Sequence, residues 1–212
     1  RNTANNAFLK LFTLAGAPAF PVDGTINSVN IGKGANSVSN NTVLGENALD
    51  AAVTGGSNTA IGANALTVLT SGTSNVAVGA NALDANTTGA QNTGLGRNAL
   101  GANTTANNNT AVGGNSMLLN TEGTSNTAVG TASLDANIDG NSNTAVGTSA
   151  LGANTSANNN TAVGKASMLL NETGTQNTAV GANSLDANTT GTNNTALGFN
   201  SLSAQSTGGP CT

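Results

Sequence analysis

The chain has 212 residues, a net charge of −4 at pH 7, 28 Gly and only 4 Phe, with no Trp and no Tyr. So few large side chains exclude the wide core of a thick sandwich or barrel and indicate thin, closely stacked layers. His is absent and Cys211 is the single cysteine, which excludes Ser-His and Cys-His nucleophile pairs, imidazole metal sites and a disulfide framework within the chain.

Composition also disfavours several partners. The 5 Lys and Arg are scattered and aromatic residues are few, so a nucleic-acid surface is not expected. No apolar run approaches the roughly 20 residues of a membrane-spanning helix, so membrane insertion is not expected. We predict neither a cofactor nor a metal.

The first 28 residues do not repeat and hold 3 of the 4 Phe. Segment 1–28 precedes an array of sequence repeats that begins at residue 41. The end of such an array must be capped or joined to another protein, so segment 1–28 is predicted to be a cap or a docking arm. Segment 29–40, "VNIGKGANSVSN", resembles one shortened coil. The docking candidates are Phe8, Leu11, Phe12 and Phe20.

From residue 41 to 208 the chain repeats with a period of 17, and residues 209–212 form a short tail. The consensus is N-T-A-V-G-x-N-A-L-D-A-N-T-T-G-x-N, and its Gly always follows its first Asn by four positions. We number the ten repeats in chain order and the 17 columns within each repeat. The repeats begin at Asn41, Asn58, Asn75, Asn92, Asn109, Asn126, Asn143, Asn160, Asn177 and Asn194.

Two columns are always aliphatic or Met, and both are predicted to form the core. Column four holds Leu44, Ile61, Val78, Leu95, Val112, Val129, Val146, Val163, Val180 and Leu197. Column nine holds Leu49, Leu66, Leu83, Leu100, Met117, Leu134, Leu151, Met168, Leu185 and Leu202.

Columns three and eight are nearly always Ala or Ser, which predicts close packing against another surface. Seventeen residues are too few for a helix pair, and T-A-V has strand alternation. Each repeat is therefore expected to contain two short strands, N-T-A-V and N-A-L, joined by the N-T-T-G turn. The fold class predicted is an all-β parallel solenoid, with ten coils stacked about 4.8 Å apart and Asn side chains bonded from coil to coil.

A second period of 51 residues overlies the first. The stretch 101–120 returns as 152–171, and in both copies columns ten and eleven become Leu-Leu. These pairs, Leu118 with Leu119 and Leu169 with Leu170, are expected to pack at an interface.

The repeat resembles the coil of trimeric autotransporter adhesin heads, which is N-S-V-A-I-G-x-x-A in left-handed parallel β-rolls. The match is Asn-Thr-Ala-Val-Gly followed by Asn-Ala-Leu, over about four fifths of the chain. It is still more similar to the "NTAVG…AL…NTTG" arrays of bacteriophage tail fibres and virion appendages, which often begin with a "DGTIN…IGKG"-like stretch, here residues 23–34.

The resemblance implies a homotrimeric, non-enzymatic fibre protein on the virion surface. Its N-terminal segment would dock to other virion proteins, and its rod would project and adhere to a glycan or protein of the host surface. One alternative is the head of an adhesin on a bacterial cell surface. Another is an ice-binding solenoid, because column two is a ladder of Thr, although Val76 interrupts it.

The stretch from Asp135 to Gly140 resembles the start of an EF-hand loop, but the twelfth position is Val146, where such a loop needs a bidentate acid. Paired carboxylates for glycoside cleavage are also disfavoured, because the 9 acids lie singly in the repeat columns. The N-x-S/T sequons at Asn86, Asn103, Asn154 and Asn188 are interpreted as turn geometry.

Overall fold

A computed structural model describes residues 24–26 and 29–211. The described elements are twelve strands and a short 3-10 turn at Ala35–Ser37. The strands are β1 Gly24–Ile26, β2 Val29–Gly32, β3 Thr42–Gly45, β4 Thr59–Ile61, β5 Val76–Val78, β6 Thr93–Leu95, β7 Thr110–Val112, β8 Thr127–Val129, β9 Thr144–Val146, β10 Thr161–Val163, β11 Thr178–Val180 and β12 Thr195–Leu197.

Strands β3 to β12 form one parallel sheet in chain order, and each strand pairs with the next at a shift of 17 residues. Thr pairs with Thr, Ala with Ala and Val with Val, for example in β8 and β9. The predicted all-β parallel solenoid with a 17-residue spacing is thus confirmed. Its strands are short because Gly follows at once with positive φ, as at Gly79, where an added Cβ would lie 2.6 Å from the carbonyl of Gly96.

The expectation of two strands per repeat is wrong, because N-A-L forms turns instead. Columns seven and nine both adopt left-handed backbone, as at Asn64 (φ 58°) and Leu66 (φ 52°). Such φ values are costly for Leu. They are held by bonds between coils, since the Leu66 N–H donates to the Ala82 carbonyl of the next repeat at 3.1 Å.

The core prediction is right for column nine and wrong for column four. Column nine is fully buried in repeats 1 to 9, and Leu202 packs partly against this core. Side chains alternate along a strand, so column three, with its Ala, points inward and column four points outward. The misassigned core residues, all half-buried or exposed, are Leu44, Ile61, Val78, Leu95, Val112, Val129, Val146, Val163, Val180 and Leu197.

The small columns serve a different purpose from the one predicted. Ala and Ser of columns three and eight are buried within the single chain, as Ala128 and Ser133 are at 0% exposure. The Ser116 and Ser133 hydroxyls bond each other at 3.0 Å, and the Ser116 hydroxyl donates to the Ala128 carbonyl at 3.2 Å. Small residues therefore keep each coil thin, and they do not lie on a surface that another chain can approach.

The N-terminal end differs from the repeats in strand direction. Strand β1 pairs antiparallel with β2, and β2 pairs antiparallel with β3. Residues 29–32 therefore do not form a shortened coil of the same sense but the second strand of a hairpin that covers the first repeat. The Ala35 N–H donates to the Leu49 carbonyl at 3.1 Å, and Asn36 Nδ2 donates to the Val53 carbonyl at 3.0 Å. The docking candidates Phe8, Leu11, Phe12 and Phe20 lie outside the described residues.

Candidate functional site

Asn of column one closes every coil from inside. The Nδ2 of Asn126 donates to the Gly140 carbonyl of its own repeat at 2.8 Å, while its Oδ1 accepts the backbone N–H of Asn143 in the next repeat at 2.9 Å. The same two bonds recur from Asn41 to Asn194. After Asn194 the acceptor is used by the N–H of Cys211 at 3.1 Å. Cys211, with an exposed thiol, thus takes the column-one place 17 residues on, a relation that the repeat count alone could have revealed.

Asn of column twelve forms a second buried ladder. The Nδ2 of Asn137 donates to Oδ1 of Asn120 at 2.7 Å and to the Gly140 carbonyl at 3.0 Å, so both ladders converge on one carbonyl oxygen. Buried polar groups that are paired in this way stiffen the structure. The ladder also explains the sequons, whose asparagines are fully buried: Asn86, Asn103, Asn154 and Asn188.

The outer side of the parallel sheet is the strand face, which we define as columns two and four. It carries no charged residue from repeat 1 to repeat 10. Among its aliphatic residues the exposed fraction is 45% at Leu44 and 44% at Leu95, and it rises to 78% at Leu197 in the last repeat. The sheet is continuous and in register, so the aliphatic side chains form an unbroken ladder along it.

Column two supplies the other half of the strand face. In the described part of the chain these threonine hydroxyls have no hydrogen-bond partner, whereas column-thirteen hydroxyls donate to the next coil, as Thr87 does to the Thr104 carbonyl at 3.2 Å. Val76 is the one residue of this column that is not Thr. The column-two threonines are Thr42, Thr59, Thr93, Thr110, Thr127, Thr144, Thr161, Thr178 and Thr195.

Columns ten and eleven form another surface, which we call the step face. Column eleven is Ala in seven repeats, but it is Val68, Leu119 and Leu170 in repeats 2, 5 and 8, with 41%, 50% and 49% exposure. Column ten follows the order Asp, Gly, Leu from repeat 3 to repeat 9. A Cβ added at Gly101 would lie 3.3 Å from Cδ1 of Leu118, so Gly leaves room for the Leu of the next repeat.

Two acids of the step face are partly desolvated. Burial raises the pKa of Asp84 and the pKa of Asp135 above the usual value of an aspartate, although hydrogen bonds from each residue's own backbone N–H and the next one act in the opposite direction.

The EF-hand-like stretch is divided by the fold. Asp139 is exposed, and Asn137 is fully buried with its Oδ1 accepting from Asn154 Nδ2 at 2.8 Å. No group of three or more His, Cys, Asp or Glu residues converges within 24–26 and 29–211. The stretch is therefore accounted for by the amide ladder and the turn that follows it.

No protein-family model matches this chain, and neither a curated protein nor a solved structure is significantly similar to it. Within the described residues there is also no helix with the length and hydrophobicity needed to cross a membrane. The candidate functional surfaces are therefore the strand face and the step face, both supported from inside by the amide ladders.

Proposed function

We propose that this protein is a non-enzymatic structural fibre or appendage protein of a bacteriophage virion. In this proposal three chains associate in parallel as left-handed β-rolls, the N-terminal segment docks to other virion proteins, and the rod projects outward. The observation that carries the proposal is the strand face, an uncharged aliphatic ladder that follows an in-register parallel sheet through every repeat.

The geometry favours self-association over capture of an unrelated partner. Burying exposed aliphatic residues such as Leu95 and Val129 stabilises the complex by about 25 cal/mol for each Å² of apolar surface removed from water. A parallel copy has the same 17-residue spacing, so column four of one chain would meet column four of another at every level. Cyclic symmetry closes such a contact without leaving an open face.

Display is the mechanism that this arrangement would serve. The rod is rigid because every coil is hydrogen-bonded to the next through backbone and amide groups. Identical faces on associated chains would raise avidity for a glycan or protein of the host surface without strong individual contacts. We assign docking to four residues of the N-terminal segment, from the sequence alone: Phe8, Leu11, Phe12 and Phe20.

Sedimentation equilibrium of the whole chain tests the association. We expect a stable trimer, and we expect Val129→Asp with Val146→Asp to give a folded monomer, because column four would then place charges in the interface. The matched control is Thr88→Asp with Thr105→Asp, two exposed positions of column fourteen, which should remain trimeric. A wild-type chain that stays monomeric at high concentration would refute the proposal.

The first alternative is the head of a bacterial adhesin with the same coil and a different anchor. Neighbouring genes distinguish the two: capsid and tail genes support a virion protein, whereas a stalk and barrel in the same reading frame support an adhesin.

Ice binding is a second candidate, and one observation favours it. The column-two threonine hydroxyls, such as those of Thr144 and Thr161, are unpartnered and repeat in register along a regular sheet, where they could order water. The trimer and ice binding need the same face, so they exclude each other. Thermal hysteresis with ice shaping by a monomeric chain would favour ice binding, and its absence at high concentration would eliminate this candidate.

A further inference from the structure

The step face carries a pattern that the coil itself does not require. Seven repeats build the same coil with Ala in column eleven, yet Val68, Leu119 and Leu170 place a larger aliphatic side chain there at intervals of 51 residues. All three are about half exposed. Apart from the neighbouring Leu118 and Leu169, the other residues of the step face are Ala, Gly, Asp, Thr and Ser. Exposed aliphatic residues placed regularly on such a surface are typical of an interaction site.

The spacing selects the partner. Three coil steps separate neighbouring aliphatic residues by about 14 Å, because coils stack at about 4.8 Å. A helix with a heptad repeat places apolar residues every 3.5 residues on average, about 5.2 Å apart, so three of its steps span about 16 Å and it falls progressively out of step with the row. A second copy of this chain has the same pitch and can meet Val68, Leu119 and Leu170 at once.

The acids select the orientation. In a parallel, in-register pair, every acid of column ten would face the same acid of the other chain: Asp50, Asp84, Asp135 and Asp186. In an antiparallel pair with its two-fold axis at repeat 5, repeat n faces repeat 10 − n. Asp84 then faces Gly152 and Asp135 faces Gly101, while like charges meet only where Asp186 faces Asp50.

The same axis also aligns the aliphatic residues. Leu119 faces Leu119, and Val68 of repeat 2 faces Leu170 of repeat 8. A two-fold symmetric contact needs this self-complementarity: if residue i of one chain contacts residue j of the other, then residue j of the first chain also contacts residue i of the second.

We propose that the step face binds the step face of a second copy of this chain in antiparallel orientation, with Leu119 at the two-fold axis. This contact uses columns ten and eleven, so it is separate from the strand face and does not depend on the association proposed above. Where both contacts form, it joins one rod assembly to another, side by side.

Cysteine cross-linking of the whole chain in a Cys211→Ser background tests the orientation. A mixture of the Val68→Cys and Leu170→Cys chains should form a disulfide-linked heterodimer on mild oxidation, and Leu119→Cys should form a homodimer. A mixture of Val68→Cys with Ala102→Cys is the matched control and should give only background, because repeats 2 and 4 do not face each other. Homodimers of Val68→Cys would show parallel pairing and overturn the proposal, as would yields no higher than the control.

A second measurement tests the apolar contact itself. Leu119→Asn with Leu170→Asn changes two half-exposed residues, so the fold should persist, but the pairing constant measured by sedimentation should weaken at least about tenfold. Ala102→Asn with Ala153→Asn adds the same amides in the same column and should change it less. Unchanged pairing in the Leu variant overturns the inference. If the strand-face trimer persists in that variant, the proposed function is unaffected.

Discussion

The two buried amide ladders look alike but differ in how strictly they are kept. Column one is Asn in all ten repeats, whereas column twelve is Asn only from Asn86 to Asn188, with Ala52, Leu69 and Gln205 in the remaining repeats. The reason is the identity of the partner. Column one accepts a backbone N–H of the next coil, which every residue except proline has, while column twelve bonds mainly to its own copies, which can be replaced together.

Removing one column-one side chain should have the largest effect. Asn126→Ala leaves the buried N–H of Asn143 without its acceptor and takes one donor from the Gly140 carbonyl. We expect it to lower the free energy of unfolding by about 2–4 kcal/mol. Urea denaturation followed by circular dichroism measures this free energy. A smaller decrease than that of the column-twelve variant Asn137→Leu would contradict the comparison.

Column twelve should tolerate an apolar replacement. Leu69 is fully buried at this position in repeat 2, where the Gly72 carbonyl still receives Asn58 Nδ2 at 3.0 Å. Asn137→Leu should therefore cost only about 1–2 kcal/mol, since it unpairs Asn120 Oδ1 but keeps the site filled. Asn137→Ala is the control and should cost more because it adds a cavity. Equal losses for the Leu variant and Asn126→Ala would contradict the distinction between the ladders.

The end of the column-twelve ladder offers a change in the opposite direction. Asn188 Oδ1 is buried without a hydrogen-bond partner, because Gln205 follows in its column and donates instead to Asn194 Oδ1 at 2.9 Å. Gln205→Asn should continue the ladder and raise the unfolding free energy by about 0.5–1.5 kcal/mol. Gln205→Ala, which supplies no amide, controls for the loss of the glutamine. The idea fails if both variants destabilise equally.

Periodicity predicted the part of the fold that depends on repetition. The 17-residue register, the buried Leu and Met of column nine and the Asn ladders all follow from identical residues stacking on themselves. The second strand was predicted wrongly because N-A-L has apolar alternation, but its backbone is left-handed at Asn64 and Leu66. Hydrophobicity alone does not reveal φ.

The surfaces were harder to predict for a related reason. Columns three and four are both apolar, and a one-residue shift decides which of them faces the interior. Ala128 is inside and Val129 outside, the reverse of what side-chain size suggests, because the Leu column opposite already fills the narrow coil. The 51-residue period was visible in the sequence. Its extension to Val68 required knowing that column eleven is exposed.

Column ten holds an acid in four of the ten repeats, and these acids do not form a ladder. Asp135 is partly buried, and its carboxylate accepts only from backbone N–H groups, its own and that of Ala136. Because burial raises the pKa of Asp135, the folded state binds protons more readily than the unfolded state, so the unfolding free energy should increase as pH falls through the raised pKa toward the usual value of about 3.8.

Asp135→Asn keeps an acceptor oxygen without the charge, so it should reduce this pH dependence and be slightly more stable than wild type at pH 7. Thr88→Asn, an exposed substitution that changes no ionisable group, is the control and should keep the pH dependence of wild type. Urea midpoints between pH 3 and pH 7 measure both variants. If Asp135→Asn keeps the full wild-type slope, the burial of this acid does not affect the unfolding free energy. The contribution of the polar columns to stability would then come from the two Asn ladders.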